Sequence, residues 1–304
     1  MAKAKPFIKW AGGKTNILRQ LEASLPDNFD QLNDVTYIEP FLGGGAMMFH
    51  MLNHHHNIRR VVVNDINTDL TTCYSLVRNR PAALIQQLKD IEDTYYAVGE
   101  NARQELFLAY RSQYNNFEET TDEVRRAALF IFLNHTCFNG LYRVNQSGRF
   151  NVPYGKYKRP VICDEEQIML DSQILRQVDF VILNGDYSIV SNRLSPAPRN
   201  NFMYLDPPYR PISNTAYFKE YSASPFGDKE QEQLKAFCDR LGQRGCLIMA
   251  SNSDSRNEDG TSYFEQLYQG YDFKIIEAPR FINAYAESRE MQTETLMCNY
   301  FNER

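Results

Sequence analysis

The chain lacks any apolar run approaching the roughly 18–20 residues a helix needs to cross a bilayer. Its basic N-terminus, Met1 to Phe7, has no hydrophobic segment behind it that would make a signal peptide. A cytoplasmic protein with no membrane partner is therefore expected. The six cysteines (Cys73, Cys137, Cys163, Cys238, Cys246 and Cys298) include no Cys-x-x-Cys pair and no histidine at zinc spacing. Reduced thiols in or near the core are expected, and no metal site. His54-His55-His56 does not change that, because three consecutive residues cannot converge on one ion from a helix or strand; it reads as a surface turn. Repeats, low-complexity tracts and a clean linker are also missing; Ser191 to Asn201, with Pro196 and Pro198, reads as a surface loop. A length of 304 residues with 43% hydrophobic content then allows one large core, or one core carrying an inserted lobe.

A surplus of positive charge is lacking too. The net charge of −5 argues by itself against a polyanionic partner. The distribution reverses that inference. Residues 1–21 hold Lys3, Lys5, Lys9, Lys14 and Arg19 with no acid, and residues 134–163 hold Arg143, Arg149, Lys156, Lys158 and Arg159, again with none. With those ten set aside, 23 bases face 38 acids. Brought together, the two segments would form one electropositive face; apart, each is a solvated surface.

Apolar, β-branched or aromatic runs predict strands at Tyr37–Ile38, Val61–Val63, Phe180–Leu183, Phe202–Leu205, Cys246–Ala250, Phe273–Ile276 and Thr295–Phe301. Helical spacing falls between several of them: Ala46–Leu52, Pro81–Tyr95, and Lys229–Leu241 behind a capping-box-like Asp228 and Gln231. Strands alternating with helices predict an α/β fold with a doubly wound, mostly parallel sheet. Arg103–Leu133 instead reads as two consecutive helices, followed by a Gly-, Asn- and aromatic-rich stretch through Tyr157. Residues 70–178 are accordingly expected to form an inserted, largely helical lobe, with 1–69 and 179–304 as the main domain.

Three runs fall at predicted strand ends, where such sheets place their ligand crevice. Tyr37-Ile38-Glu39-Pro40-Phe41-Leu42-Gly43-Gly44-Gly45-Ala46 empties a strand into a triple glycine that opens a helix, where backbone can approach a ligand closely. In Val61-Val62-Val63-Asn64-Asp65-Ile66-Asn67, Asp65 ends the next strand, an offset at which an acid can accept hydrogen bonds from a ribose diol. Together they describe a nucleoside pocket. A dinucleotide fits less well, since the Gly-x-Gly-x-x-Gly form is absent.

The third run, Phe202-Met203-Tyr204-Leu205-Asp206-Pro207-Pro208-Tyr209, is a rigid and unusual turn with the parts that amine methylation needs. An adenine amino group is a poor nucleophile because its lone pair is delocalised into the ring. An enzyme helps by accepting its N–H hydrogens as the nitrogen rehybridises. The Asp206 carboxylate and the Pro207 carbonyl can be those acceptors. Neither Pro207 nor Pro208 has an N–H to compete, their fixed φ angles hold the carbonyl, and Tyr209 offers a face for a flipped base.

With Phe7-Ile8-Lys9-Trp10-Ala11-Gly12-Gly13-Lys14, Phe138-Asn139-Gly140-Leu141-Tyr142-Arg143-Val144-Asn145 and Phe150-Asn151-Val152-Pro153-Tyr154-Gly155-Lys156-Tyr157, these runs occur in the order found in Dam-like DNA adenine methyltransferases, which modify GATC sites. The chain resembles that family over nearly its whole length. The resemblance implies an S-adenosylmethionine-dependent enzyme acting on double-stranded DNA as a monomer, with methyl transfer in line from the sulfonium. It implies that Trp10, Lys14, Asp65 and Asp206 contact the cofactor, Lys14 through the methionine carboxylate, beside the Gly43 turn. Phe41, Asp186 and Tyr187 would line the adenosine pocket. The hairpin through Phe138 to Tyr157 would enter the major groove, with Phe138 wedged beside the flipped adenine and Leu141, Arg143 and Pro153 reading flanking bases. Lys9 would contact the target site, and Asn139 and Tyr157 would hold backbone or base edges. Apart from the resemblance, Phe138 reads equally well as a core aromatic. For Arg143 the chemistry agrees, since an arginine bonds two guanine acceptors at once.

One segment departs from the family pattern. Where relatives carry a Gly-rich basic stretch, Arg280 to Glu290 is glycine-free and adds two acids, Glu287 and Glu290, which puts phosphate contact there in question. An RNA methyltransferase, a methyltransferase for another DNA sequence, a DNA-binding regulator without catalysis and a module for some other nucleotide remain open as alternatives. So does the service performed, whether repair, regulation, restriction-modification or phage defence.

Overall fold

The computed structural model describes residues 2–116, 122–195, 200–210, 226–257, 259–278 and 292–302. The chain forms two compact units, one of Met1–Gly13, Gly43–His54 and Asp65–Gly185, the other of Lys14–Leu42, His55–Asn64 and Asp186–Arg304.

The second unit holds a sheet. Its strands are β1 (Val35–Glu39), β2 (Ile58–Asp65, its last residue in the other unit), β4 (Asn201–Leu205), β5 (Leu247–Ser253), β6 (Asp272–Ala278) and β7 (Gln292–Cys298), in the order β2-β1-β4-β5-β7-β6. β2, β1, β4 and β5 run parallel, with Ile38 opposite both Val62 and Met203, and Leu205 opposite Ala250. β7 pairs antiparallel with both β5 and β6. Every residue of β1 and β4 is buried, as befits parallel strands covered on both faces. The carboxyl ends of β1, β4 and β5 bring Glu39, Asp206 and the polar run Ser251-Asn252-Ser253 to one edge, and β7 sets Glu294 opposite Ser253. α1 (Leu18–Glu22), α8 (Asp228–Gln243) and α9 (Tyr263–Leu267) complete the unit's α-helices among the described residues.

Three local expectations need correction here. The cap of α8 lies one residue earlier than the sequence suggests: the Gly227 N–H donates to the Glu230 carboxylate (2.8 Å), while Asp228 instead pairs with Arg210 (2.8 Å). The last strand ends at Cys298 because the Asn299 side chain takes over the ladder, accepting from the Ile248 N–H (2.7 Å) and donating to the Cys246 carbonyl (2.8 Å). His55 is not part of a surface turn. It is 6% exposed, with Nδ1 2.6 Å from Asp30 and Nε2 3.0 Å from Glu22, edge-on to Phe29. His54 closes α2 and, like His56, is exposed.

The first unit is mainly helical: α2 (Ala46–His54), α3 (Thr68–Asn79), α4 (Pro81–Ala97), α5 (Glu100–Asn115), α6 (Glu123–Thr136) and α7 (Glu165–Arg176), with strand β3 (Asp179–Asn184). The two helices expected in 103–133 are α5 and α6; α3 and α7 are additional. Pro81 starts α4, where its missing N–H costs nothing, and so separates it from α3. Side-chain caps from Asn67, Asp122 and Asp164 open α3, α6 and α7. α3 is pinned to α5 and α6 by a buried cluster in which Asp69 accepts two bonds from Arg126 and one from the Tyr114 hydroxyl. All six cysteines are unpaired.

Candidate active site

In the second unit, Asp206 follows β4 directly, and its Oδ1 accepts from the Lys14 ammonium at 2.9 Å and from the Ser251 hydroxyl at 3.2 Å. Lys14 is buried, with its Nζ 4.4 Å from the centre of the Tyr209 ring and 3.9 Å from Glu294. The Tyr209 hydroxyl donates to Glu294 at 2.7 Å. Burial and the neighbouring Asp206 and Glu294 charges push that phenol well above the ordinary tyrosine range, so it stays a neutral donor.

The turn itself is clamped. Gln231, fully buried on α8, donates to the Pro208 carbonyl (3.0 Å) and accepts from Asn252 (3.3 Å), whose own oxygen accepts the Arg210 N–H (3.1 Å). Pro207 is buried and Pro208 exposed. Sequence reasoning found Asp206, Pro207, Pro208 and Tyr209 but missed Gln231, Ser251, Asn252 and Glu294. Gln231 carried a signal: it stands on the face of α8 that buries Leu234, Cys238 and Leu241. Phe41 lies in the same unit, stacked on Tyr187 (5.4 Å, 30°) with Phe226 edge-on to it. Asp186 is exposed and caps the short turn that follows, accepting the Ser188 N–H at 2.9 Å.

In the first unit, the Asp65 carboxylate closes the glycine turn, Oδ2 accepting the Gly43 N–H and Oδ1 the Asn67 N–H, each at 2.9 Å. Burial raises this carboxyl above its ordinary range, opposed by those backbone bonds. Gly43 has φ +50°, and a Cβ there would lie 2.8 Å from Trp10 Cδ1, so this turn meets the indole closely only as glycine.

The same unit brings the remaining sequence-predicted residues together. α6 ends at Thr136 with Cys137 as its C-cap, and the chain turns through Phe138–Gly140, with Asn139 at φ +54° and Gly140 at φ +63°. Phe138 is 51% exposed, which decides against the core reading. Two arms follow, joined by Asn151 N–H to Arg143 O (3.1 Å) and Asn145 N–H to Arg149 O (2.9 Å). The Asn145 side chain closes the tip by accepting the Ser147 and Arg149 N–H groups. Phe150 and Val152 anchor the second arm inward, whereas Arg143 and Pro153 are exposed and Leu141 half-buried. The Arg143 Nε donates to Asn151 (2.8 Å), and Pro153 O accepts the Phe138 N–H (2.8 Å). Lys9 Nζ lies 5.0 Å from the centre of the Tyr157 ring, and the Tyr157 hydroxyl accepts the Asn139 N–H (3.1 Å). Asn134, missed in the sequence, holds this register: its amide accepts the Lys9 N–H and donates to the Lys9 and Gly140 carbonyls at 2.8–2.9 Å. The basic N-terminal segment is thereby divided: Lys9 joins the hairpin, while Lys14 belongs to the other unit, bound to Asp206.

Residues 10–282, which include the carboxylate-proline-proline-aromatic turn, the glycine turn closed by an acid and the exposed aromatic-basic hairpin, match the family profile of the D12 class N6 adenine-specific DNA methyltransferases. The chain belongs to this family. This adenine-specific DNA methyltransferase is 42% identical over 299 residues to the type II methyltransferase M.MjaIII of Methanocaldococcus jannaschii, covering 98% of this chain and all of that one. It is 34% identical to the type II methyltransferase M1.LlaDCHI of Lactococcus lactis (98% and 96% covered) and 30% identical to a DNA adenine methylase of Vibrio cholerae (97% and 96%). The mostly parallel sheet with flanking helices is the Rossmann-like arrangement expected of the methyltransferase. Among its described residues no helix is long and apolar enough to cross a membrane, and no three His, Cys, Asp or Glu side chains are grouped to hold a metal. The Arg280–Glu290 segment and Pro196 and Pro198 lie outside the described residues.

Proposed function

We propose that this methyltransferase moves the methyl group of S-adenosylmethionine to the exocyclic amino nitrogen of an adenine rotated out of duplex DNA, within GATC. The observation that carries the reading is the Asp206–Tyr209 turn: two protein donors converge on one carboxylate oxygen, and Gln231 locks the backbone behind it.

The donor set fits an S-adenosyl group. The partly exposed Asp65 carboxylate beside a tight glycine turn matches a ribose diol, and the half-exposed Phe41–Tyr187 stack matches a purine. Within the first unit, Trp10, Gly43 and Asp65 are the residues assigned to the cofactor; within the second, Lys14, Phe41, Asp186, Tyr187 and Asp206 are; when bound, the cofactor supplies the electrophilic methyl. With Lys14 and Ser251 both on Oδ1, we assign Asp206 Oδ2 to one amino hydrogen and the Pro207 carbonyl to the other. The nitrogen lone pair is thus freed from the ring at the moment of attack, and the developing positive charge meets a preorganised carboxylate. Tyr209, fixed through Glu294, provides the stacking face. Asp186 serves mainly as the cap of its turn and lends its second oxygen to the pocket.

DNA recognition falls to the hairpin. Phe138 fills the space left by the extruded base. The Arg143 Nη groups read guanine, Nε being occupied by Asn151. Leu141 and Pro153 contact flanking bases, while Lys9, Asn139 and Tyr157 complete the target contact. Residues 70–178 act as the recognition lobe and 1–69 with 179–304 as the catalytic domain of a monomer working in the cytoplasm.

The test is transfer of labelled methyl from S-adenosylmethionine to a GATC duplex, beside a scrambled duplex and an Asp206→Ala enzyme. Label confined to the GATC duplex with intact enzyme is expected. Label on the scrambled duplex would overturn the sequence assignment, and an active Asp206→Ala enzyme would overturn the role of the turn.

A further inference from the structure

Trp10 is the chain's single tryptophan, and it touches two parts of the first unit, the glycine turn and the hairpin. On one side it meets the glycine turn closely, since a Cβ at Gly43 would lie 2.8 Å from its Cδ1 and one at Gly44 3.2 Å from its Cβ. Its ring stacks at 5.7 Å and 18° on Tyr142, which stands between Leu141 and Arg143 in the hairpin's first arm. Tyr142 is packed in turn against two buried rings, Phe130 (5.5 Å) and Phe150 (6.0 Å), the second belonging to the hairpin's other arm. The indole cannot shift without disturbing either the turn closed by Asp65 or the hairpin, because close-packed contacts transmit displacement rather than absorb it.

The geometry points to Tyr142 as a positioning residue that couples the methyl-donor turn to the DNA-reading hairpin, so that each ligand tightens the other. The inference rests on the donor and DNA assignments proposed above. Filling the glycine turn fixes the indole, the indole fixes the Tyr142 ring, and Leu141 and Arg143 on either side are presented to DNA in one register. DNA seated first does the same in reverse, since coupling between two binding sites is reciprocal.

The experiment measures S-adenosylhomocysteine affinity with and without the GATC duplex, and duplex affinity with and without S-adenosylhomocysteine. In the parent enzyme both ratios should agree and be about fivefold or more. Tyr142→Leu should bring both within about twofold of unity while each ligand alone still binds, and Tyr142→Phe, which keeps the ring, should restore the coupling. Trp10 emission adds a readout that simple destabilisation does not mimic: duplex added without S-adenosylhomocysteine should alter it in the parent and in Tyr142→Phe but not in Tyr142→Leu. Should Tyr142→Leu fail to fold, Tyr142→Met replaces it, with the same loss of coupling expected. Equal coupling in the parent and in the ring-less variant, or none in the parent, overturns the inference. Failure of the parent to bind S-adenosylhomocysteine or duplex at all would instead overturn the reading on which it rests.

Discussion

Asp171 gives the methyltransferase a stability that should fall as pH rises through neutrality. The residue is fully buried on α7, where its Oδ1 accepts the Lys5 N–H (3.1 Å) and the Gln167 amide (2.8 Å), while Oδ2 has no hydrogen-bond partner among the described residues. These bonds tie down the N-terminal segment that leads to Lys9 and Trp10. Burial raises the carboxyl to about 7; the bonds from Gln167 and Lys5 and the Lys5 charge oppose the rise, and the Asp164 charge adds to it. An unfolded aspartate titrates near 3.9. Below about pH 4 both states carry the proton and the group contributes no difference. Between there and about pH 7 the native state holds a proton that the unfolded chain has released, so stability is lost as pH rises. Three pKa units at about 1.36 kcal/mol each give an upper bound of about 4 kcal/mol, of which about 3 fall between pH 5 and 8. Asp171→Asn keeps the Oδ1 acceptor and cannot ionise. Its buried amide carries a cost, but one independent of pH, which drops out of the comparison. The stability of Asp171→Asn relative to the parent should therefore rise by about 3 kcal/mol from pH 5 to pH 8. At roughly 2 °C per kcal/mol for a chain of this size, that is about 6 °C in Tm. Urea titrations at the two pH values, supported by calorimetric melts, provide the measurement. Parallel pH profiles for the two proteins would refute this role for Asp171.

Two further outcomes follow from the site. Gly43→Ala places a side chain at φ +50° and 2.8 Å from Trp10 Cδ1. About 1–2 kcal/mol of backbone strain, plus displacement of the indole, should lower Tm by roughly 2–6 °C and weaken S-adenosylhomocysteine binding at least about tenfold by calorimetry; unchanged binding would mean that this turn does not carry the donor. Arg143→Ala should lose about 1–3 kcal/mol of discrimination at one flanking base, read as methylation rates on duplexes that differ at single positions. A uniform loss on all duplexes would instead mark Arg143 as a phosphate contact.

Where local pattern and chemistry coincide, the sequence is readable. Tyr37–Ile38, Val61–Val63 and Phe202–Leu205 announce parallel strands because both faces of each are covered, leaving nearly unbroken apolar runs. Asp206 to Tyr209 is legible because an acid, two prolines and an aromatic rarely follow a buried strand for any structural reason. The departures share a different cause. His55 looked like part of a polar surface turn because neither Asp30 nor Glu22, which face it, is adjacent in sequence. The strand through Cys298 stopped early because one side chain, Asn299, replaced backbone bonds that no hydropathy pattern distinguishes.

The residues missed at the site extend that point. Glu294 meets Tyr209 across 85 positions, and only because β7 runs antiparallel against β5 at the end of an otherwise parallel set. Nothing local to Glu294 marks that reversal. Asn134 and Gln231 are different, since each is a buried amide on a helix face that is otherwise apolar, and burying an amide is costly unless its bonds are filled. Both fill them with backbone groups of candidate-site loops, Lys9 and Gly140 in one case and Pro208 in the other. A polar residue interrupting the apolar face of a predicted helix is thus a usable signal in this methyltransferase. It identifies the side chains that hold a candidate-site loop in place, and it does so independently of the motifs that name the loop.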